Sequence, residues 1–289
     1  MSASRSSADY VTLTKPRLNF LVLLTTLAAY SLGSEDSSTL VRLMHTLVGT
    51  ALVAGGASAL NQVWERDSDR LMRRTRLRPI ADARLTATQG NVFGLVLCVI
   101  GAGELWLFVN HLTAIVAIVT ALSYVLFYTP LKPVTSLSTL AGAIPGALPA
   151  VIGWTAAANK LSIEAWVLFG IVFMWQMPHF LAIAWMYRDE YAAAGIKLLP
   201  VIEPDGRSTG RQAVLYTAAL VPMSLMPTLV GLASPWYLMG AITLGAILMF
   251  FSVEFSSTRT MASARRLFFG SILYLPLLWT ILVVDHRRH

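Results

Sequence analysis

Nine apolar runs, each close to bilayer-spanning length, follow one another along the 289 residues, near 17–33, 41–64, 88–109, 112–128, 137–156, 163–187, 211–232, 235–254 and 267–284. A hydrocarbon core about 30 Å thick takes a helix of about 20 residues. Inside it each backbone N–H and C=O has to be satisfied within the protein, so such a succession points to a helical bundle. The split between the third and fourth runs rests on Asn110 and His111 alone; without it the segment would exceed a normal span. Only 13% of the residues are charged and 56% are hydrophobic, more apolar side chains than a soluble interior hides. The expected fold class is all-α, a polytopic membrane protein with nine transmembrane helices forming a single integral domain over 1–289, with membrane lipids around it.

Charge gives the bundle a direction. Of the 22 Lys and Arg residues, 18 fall in segments on the N-terminal side of the membrane, and four, Arg42, Lys160, Arg287 and Arg288, fall on the other. Basic residues concentrate on the cytoplasmic face. The N-terminus is therefore expected inside and the C-terminus outside, in a cytoplasmic or inner cell membrane, with Glu35 and Asp36 on the outer side. Topology and anionic headgroups account for the net charge of +7, so no nucleic acid partner is expected. The first sixteen residues are polar and lack the apolar core of a cleavable signal. Cys98, between Leu97 and Val99, reads as a packed helix residue.

Proline and glycine mark the irregular parts. Pro130, Pro133, Pro145, Pro149, Gly142, Gly146 and Gly153 argue against an uninterrupted helix over 129–155, and Gly142 and Gly146 allow close helix approach. Pro178, Pro222, Pro227 and Pro276 predict further kinks or breaks. Glu104 and Glu254 lie in or near apolar runs, where desolvation favours pairing or protonation.

Chemistry is expected at two inside segments. The first is Asn61-Gln62-Val63-Trp64-Glu65-Arg66-Asp67-Ser68-Asp69, followed by Arg70, Arg73, Arg74, Arg76, Arg78 and Pro79. If the helix persists, Asn61, Glu65 and Asp69 recur every four residues, drifting about 40° and rising about 6 Å per step along one polar stripe. An amide oxygen and two carboxylates suit Mg²⁺, which favours oxygen ligands and bridges proteins to phosphates. Asp67 is expected to point away. Arginines bind diphosphate through several directional donors; Arg74 and Arg78, flanking a compact turn, are the pointed candidates, and the other four serve mainly topology.

The second segment runs from Trp175-Gln176-Met177-Pro178-His179-Phe180 to Tyr187-Arg188-Asp189-Glu190-Tyr191, with Gly195, Lys197 and Pro200 beyond. Adjacent Asp189 and Glu190 point about 100° apart on a helix, so one is expected to be secondary. His179 is placed to view a membrane cavity, and His45, His111, His286 and His289 form no metal-ligand spacing with it. Lys132, after Tyr128-Thr129-Pro130-Leu131, is placed to meet an anionic group.

At these positions the sequence resembles the protoheme IX farnesyltransferases, or heme O synthases, within the intramembrane prenyltransferases related to quinone-biosynthetic enzymes. The markers are Asn61-x-x-x-Glu65-x-x-x-Asp69 through Met72, Arg74-Thr75 and Arg78-Pro79; Trp175-Gln176-x-Pro178-His179-Phe180; Glu190-Tyr191-x-x-x-Gly195-x-x-Leu199-Pro200; Tyr128-Thr129-x-Leu131-Lys132; and Gly142-Ala143-x-Pro145. Glu190 stands where the family usually has Asp, Ala194 supplies no second acid, and Pro133 replaces a usual basic residue. The resemblance implies a nine-helix fold with an inside chamber and transfer of a farnesyl group from farnesyl diphosphate to a vinyl group of protoheme IX. It assigns Asn61, Glu65, Asp69 and Glu190 to Mg²⁺, and Arg74, Arg78 and Lys132 to the diphosphate. His179, Arg188 and Tyr191 become further binding residues, and a downstream heme enzyme becomes the product's recipient. Two other readings share the outline: an enzyme of the same broad fold acting on a quinone precursor, and a secondary transporter of an amphipathic anion, although no paired interrupted repeats are discernible.

Overall fold

The computed structural model describes residues 3–34 and 40–286; Glu35, Asp36, Arg287, Arg288 and His289 lie outside them. The chain runs through α1 (Ala3–Leu13), α2 (Pro16–Gly33), α3 (Leu40–Trp64), α4 (Arg66–Leu71), α5 (Ala87–Phe108) and α6 (His111–Leu122). A π-helical turn, Ser123–Tyr128, leads into α7 (Thr129–Leu131). Then follow α8 (Ser138–Ala158), α9 (Ile163–Met186), α10 (Arg188–Ala193), α11 (Leu199–Ile202), α12 (Arg207–Leu229), α13 (Pro235–Thr258) and α14 (Met261–His286). All regular elements among the described residues are helical.

Each of the nine apolar runs forms a helix where it was expected, and among the described residues eight helices are long and apolar enough to cross a membrane. The exception is α2. It has 18 residues and begins Pro16-Arg17-Leu18-Asn19, so polarity at its first turn lowers it below a full span, yet it packs along α8 as a bundle member. The narrow split before α6 has a local cause: the Asn110 side chain accepts the Thr113 backbone N–H at 2.8 Å and caps the new helix.

The most enclosed helix is α8, surrounded by α2, α6 and α9. A Cβ added at Gly142 would lie 2.5 Å from the Tyr128 ring, and one at Gly146 would lie 2.0 Å from Gln176 Oε1, so both glycines permit the close approach expected of them. The expected interruption within 129–155 falls at 132–137, around Pro133, and not at Pro145 or Pro149, because α8 passes through both. Neighbours serve the backbone there: Gln176 Nε2 donates to the Ala143 carbonyl and Thr26 Oγ1 to the Pro149 carbonyl, each at 3.2 Å. The carbonyls that Pro145 and Pro149 leave without an N–H are those of Ala141 and Pro145, four residues earlier in each case. Pro178, Pro222, Pro227 and Pro276 likewise sit inside α9, α12 and α14 without ending them.

The loops around 65–86, 132–137 and 187–206 share one end of the bundle, the polar end. The isolated acids are paired: Glu104 with His45 at 2.7 Å, and Glu254 with Arg266. Cys98 is half-buried, its thiol 3.6 Å from the Val53 carbonyl. The helix α1 was not expected from the polar N-terminus. It lies beside α3, where the Leu13 carbonyl accepts Gln62 Nε2 at 2.8 Å, Asp9 pairs with Arg84, and Tyr10 meets Phe93.

Candidate active site

The first polar segment keeps its helical spacing across a break. Although α3 ends at Trp64, the Glu65 N–H donates to the Asn61 carbonyl (2.9 Å) and the Asp69 N–H to the Glu65 carbonyl (2.8 Å). Asn61, Glu65 and Asp69 therefore stay on one stripe. Beyond α4 the chain turns back: Thr75 Oγ1 donates to the Asp69 carbonyl at 3.1 Å, and the Arg78 N–H to the Thr75 carbonyl at 2.9 Å. The reversal sets Arg78 Nη1 2.8 and 2.7 Å from the two Asp69 oxygens and 3.8 Å from Glu65 Oε2.

Two lysines complete the cluster. Lys132 pairs with Glu65 Oε1, and its ammonium lies 4.4 Å from the centre of the Tyr128 ring. Lys15 Nζ donates to Asn61 Oδ1 at 2.6 Å. The Asn61 orientation follows from Thr129, whose hydroxyl donates to the Tyr124 carbonyl (2.9 Å) and so accepts Asn61 Nδ2–H (3.0 Å), turning Oδ1 to Lys15. The π-helical turn places Tyr128, Thr129 and Lys132 for these contacts.

Burial makes these charges consequential. The Asp69 side chain is 1% exposed and Glu65 11%. Burial alone would raise the Glu65 carboxyl, but the positive charges of Lys132 and Lys15 outweigh it and hold its pKa below the ordinary value. Burial opposes the Lys132 ammonium too, yet Tyr128 and Glu65 outweigh that and raise its pKa. Lys15 is pulled down to about 7, first by burial and then by Arg78 and Lys132.

The second segment meets the first at Arg74. Its backbone N–H donates to Glu190 Oε2 at 3.4 Å and its Nη2 to the Tyr191 hydroxyl at 3.1 Å. Its guanidinium lies 5.1 Å from the centre of the Tyr187 ring and 5.8 Å from that of Tyr191. A second contact backs Lys132, whose carbonyl accepts the Lys197 N–H at 3.0 Å. An arginine-rich loop and a loop carrying Glu190 and Tyr191 thus meet at the same end of the apolar bundle as the buried carboxylates.

Residues 22–275 match the UbiA prenyltransferase family. The chain belongs to that family. It is 47% identical over 286 residues to the protoheme IX farnesyltransferase of Solibacter usitatus, a match covering 96% of this chain and 98% of that one. It is 42% identical over 280 residues to the protein of that name from Myxococcus xanthus, covering 96% and 95%. In fold, a UbiA homologue from Archaeoglobus fulgidus bound to GPP and Mg²⁺ superposes with a TM-score of 0.68 at 14% identity, covering 95% of this chain and 99% of that one. A digeranylgeranylglyceryl phosphate synthase superposes with a TM-score of 0.83, also at 14% identity, covering 99% and 100%.

Within this UbiA-family chain the residues singled out from the sequence fall into three places. Asn61, Glu65, Asp69, Arg78 and Lys132 form the buried cluster, while Glu190 and Tyr191 stand with Arg74 at the loop junction. His179 lies apart, between α9 and α14. Arg188, at the start of α10, turns back to the end of α9, 3.2 Å from the Trp185 carbonyl and over the Trp185 ring. Asp67 and Asp189 are exposed, with Asp67 paired to Arg66 and Arg70. Lys15 and Thr129 were not selected from the sequence. The signal for Lys15 was the Lys-Pro at the head of the first apolar run: Pro16 starts α2, and Lys15 before it takes a left-handed backbone (φ 49°).

The oxygen donors at Asn61, Glu65 and Asp69 suit the chemistry of Mg²⁺, and each is already held by a cation of the chain. Among the described residues no three His, Cys, Asp or Glu side chains are gathered for a metal. An ion here would draw the rest of its coordination from water or from a bound substrate.

Proposed function

We propose that this protein transfers the farnesyl group of farnesyl diphosphate to a vinyl group of protoheme IX, with addition of water, forming heme O and diphosphate. The observation that carries the chemistry is the buried Asn61–Glu65–Asp69 stripe, paired with Lys15, Lys132 and Arg78 at the end of the bundle where the two loops meet through Arg74. The identity of donor and acceptor rests on the relatives named protoheme IX farnesyltransferase, which match nearly end to end.

Asn61, Glu65 and Asp69 from the end of α3 and from α4, with Glu190 from α10, would hold Mg²⁺, which when bound supplies positive charge against the diphosphate and eases its departure. Arg78 and Lys132 offer fixed donors for the charge that develops as the allylic C–O bond breaks, and Arg74 reaches the same anion from the loop junction. The apolar bundle holds the isoprenoid and limits early capture of the allylic cation by water. The vinyl group attacks that cation, leaving positive charge on the heme side chain, and water adds there to form the hydroxyethylfarnesyl group. His179 faces the porphyrin in this arrangement. We place the loops and the N-terminus on the cytoplasmic side and the C-terminus outside, in keeping with the bias of basic residues, and treat 1–289 as a single catalytic domain whose product passes to a downstream heme enzyme.

The test is mass analysis of purified protein incubated with farnesyl diphosphate, protoheme IX and Mg²⁺, beside a chelated control. A farnesylated, hydrated porphyrin formed only with the metal is the expected product. No conversion, or conversion of an aromatic acid in place of heme, refutes the proposal.

A further inference from the structure

His179 is fixed on three sides. Trp175, one turn earlier on α9, stacks on the imidazole at 5.2 Å between ring centres and 18° between planes. Phe268 of α14 stacks on it at 5.0 Å and 23°. The ring edge is set by Ser271, whose Oγ lies 2.8 Å from His179 Nδ1. The same hydroxyl has one proton, and it goes to the Phe268 carbonyl at 2.7 Å. Ser271 Oγ must then accept, so Nδ1 carries the ring proton and, in the neutral ring, Nε2 carries a lone pair. The Ser271 carbonyl also takes the Trp175 indole N–H at 2.7 Å, tying the stack to the same residue. Serine often bonds back to its own helix without further role; here that bond also decides which imidazole nitrogen is free. Among the described residues Nε2 has no hydrogen-bond partner.

We propose that His179 Nε2 is the axial ligand of the porphyrin substrate's iron, and that Ser271 is the positioning residue that fixes the ligating tautomer. The inference rests on the porphyrin acceptor proposed above. An ionised propionate offers this lone pair no proton, whereas a metal ion takes it directly. A histidine whose second nitrogen donates to a fixed acceptor is the usual form of a metal-bound imidazole. The bond is dative: iron keeps its oxidation state, exchanges one axial water for Nε2, and no proton moves.

The experiment titrates wild-type, His179→Ala and Ser271→Ala proteins in nanodiscs with ferric protoheme and, separately, with metal-free protoporphyrin IX. Wild type is expected to give the Soret band of an imidazole-ligated heme. His179→Ala should lose that band, regain it with added imidazole, and weaken iron-porphyrin binding about tenfold or more. Ser271→Ala should weaken iron-porphyrin binding about tenfold through the lost second-nitrogen partner. Unchanged affinity for metal-free porphyrin in both variants shows that they are folded and that the loss is specific to iron. Equal spectra and affinities in His179→Ala and wild type would overturn the inference. An equal loss for both porphyrins would too, since it marks a packing role. Neither result touches the proposed reaction while wild type still makes the farnesylated product. Failure of wild type to bind either porphyrin removes the acceptor reading, and this ligand with it.

Discussion

The ion pair between Arg78 and Asp69 allows the cluster's structural and chemical roles to be separated. Asp69 is 1% exposed and both its oxygens are met by one Arg78 nitrogen. Replacing Arg78 with Met leaves a buried carboxylate without its partner, and breaking such a pair from one side costs about 3 kcal/mol or more. Asp69→Leu should cost less, about 1 kcal/mol, because Arg78 is a quarter exposed and retains Glu65 at 3.8 Å. Removing both partners takes away the unpaired charge, so the double variant should lie near Asp69→Leu, giving a coupling of about 3 kcal/mol. Denaturant unfolding in mixed micelles measures the three stabilities, and product formation measures activity. The double variant should be well folded and inactive, because the proposed site would lack both a metal ligand and a guanidinium. An Arg78→Met cost below about 1 kcal/mol, or a double variant no more stable than Arg78→Met, would refute the assignment of a buried, mutually dependent pair.

Three further outcomes follow from the geometry. Glu65→Ala should keep membrane assembly, since Lys132 still has the Tyr128 ring, but lose Mg²⁺-dependent turnover; normal turnover in a metal-controlled assay would remove Glu65 from the site. Gly146→Ala should destabilise the α8–α9 contact, because the new methyl meets Gln176 at 2.0 Å, by about 1–3 kcal/mol as for other overpacked positions; an unfolding midpoint unchanged from wild type would contradict that. With Cys98→Ala as background, a thiol placed at Asp67 should react with a membrane-impermeant reagent only from the cytoplasmic side and one at Lys160 only from the opposite side. The reverse pattern would invert the proposed topology.

Much of the frame was legible because it depends on short-range rules. Span length and hydropathy located every long helix, and Asn110 marked a helix start by a mechanism contained within four residues. The four-residue recurrence of Asn61, Glu65 and Asp69 also survived, since the backbone hydrogen bonds carry the spacing across the break at Glu65. What escaped depends on distant partners. Lys15 looks like an edge lysine until Asn61, 46 residues on, comes beside it. Arg74 and Glu190 are 116 residues apart and neither predicts the other. The prolines of 129–155 foretold a break without its place: it falls at 132–137, around Pro133, while α8 runs through Pro145 and Pro149. The π-helical turn left no compositional trace, although it places Thr129 and Lys132.

Lys15 occupies the hinge between α1 and α2, with Pro16 immediately after it and the Asn61 amide under its ammonium. That position couples mechanics to electrostatics. Any swing of α2 about its first turn would carry the Lys15 amine toward or away from the carboxylate stripe and so change how readily it is protonated, and the wall of the bundle and the potential at its mouth cannot be adjusted independently.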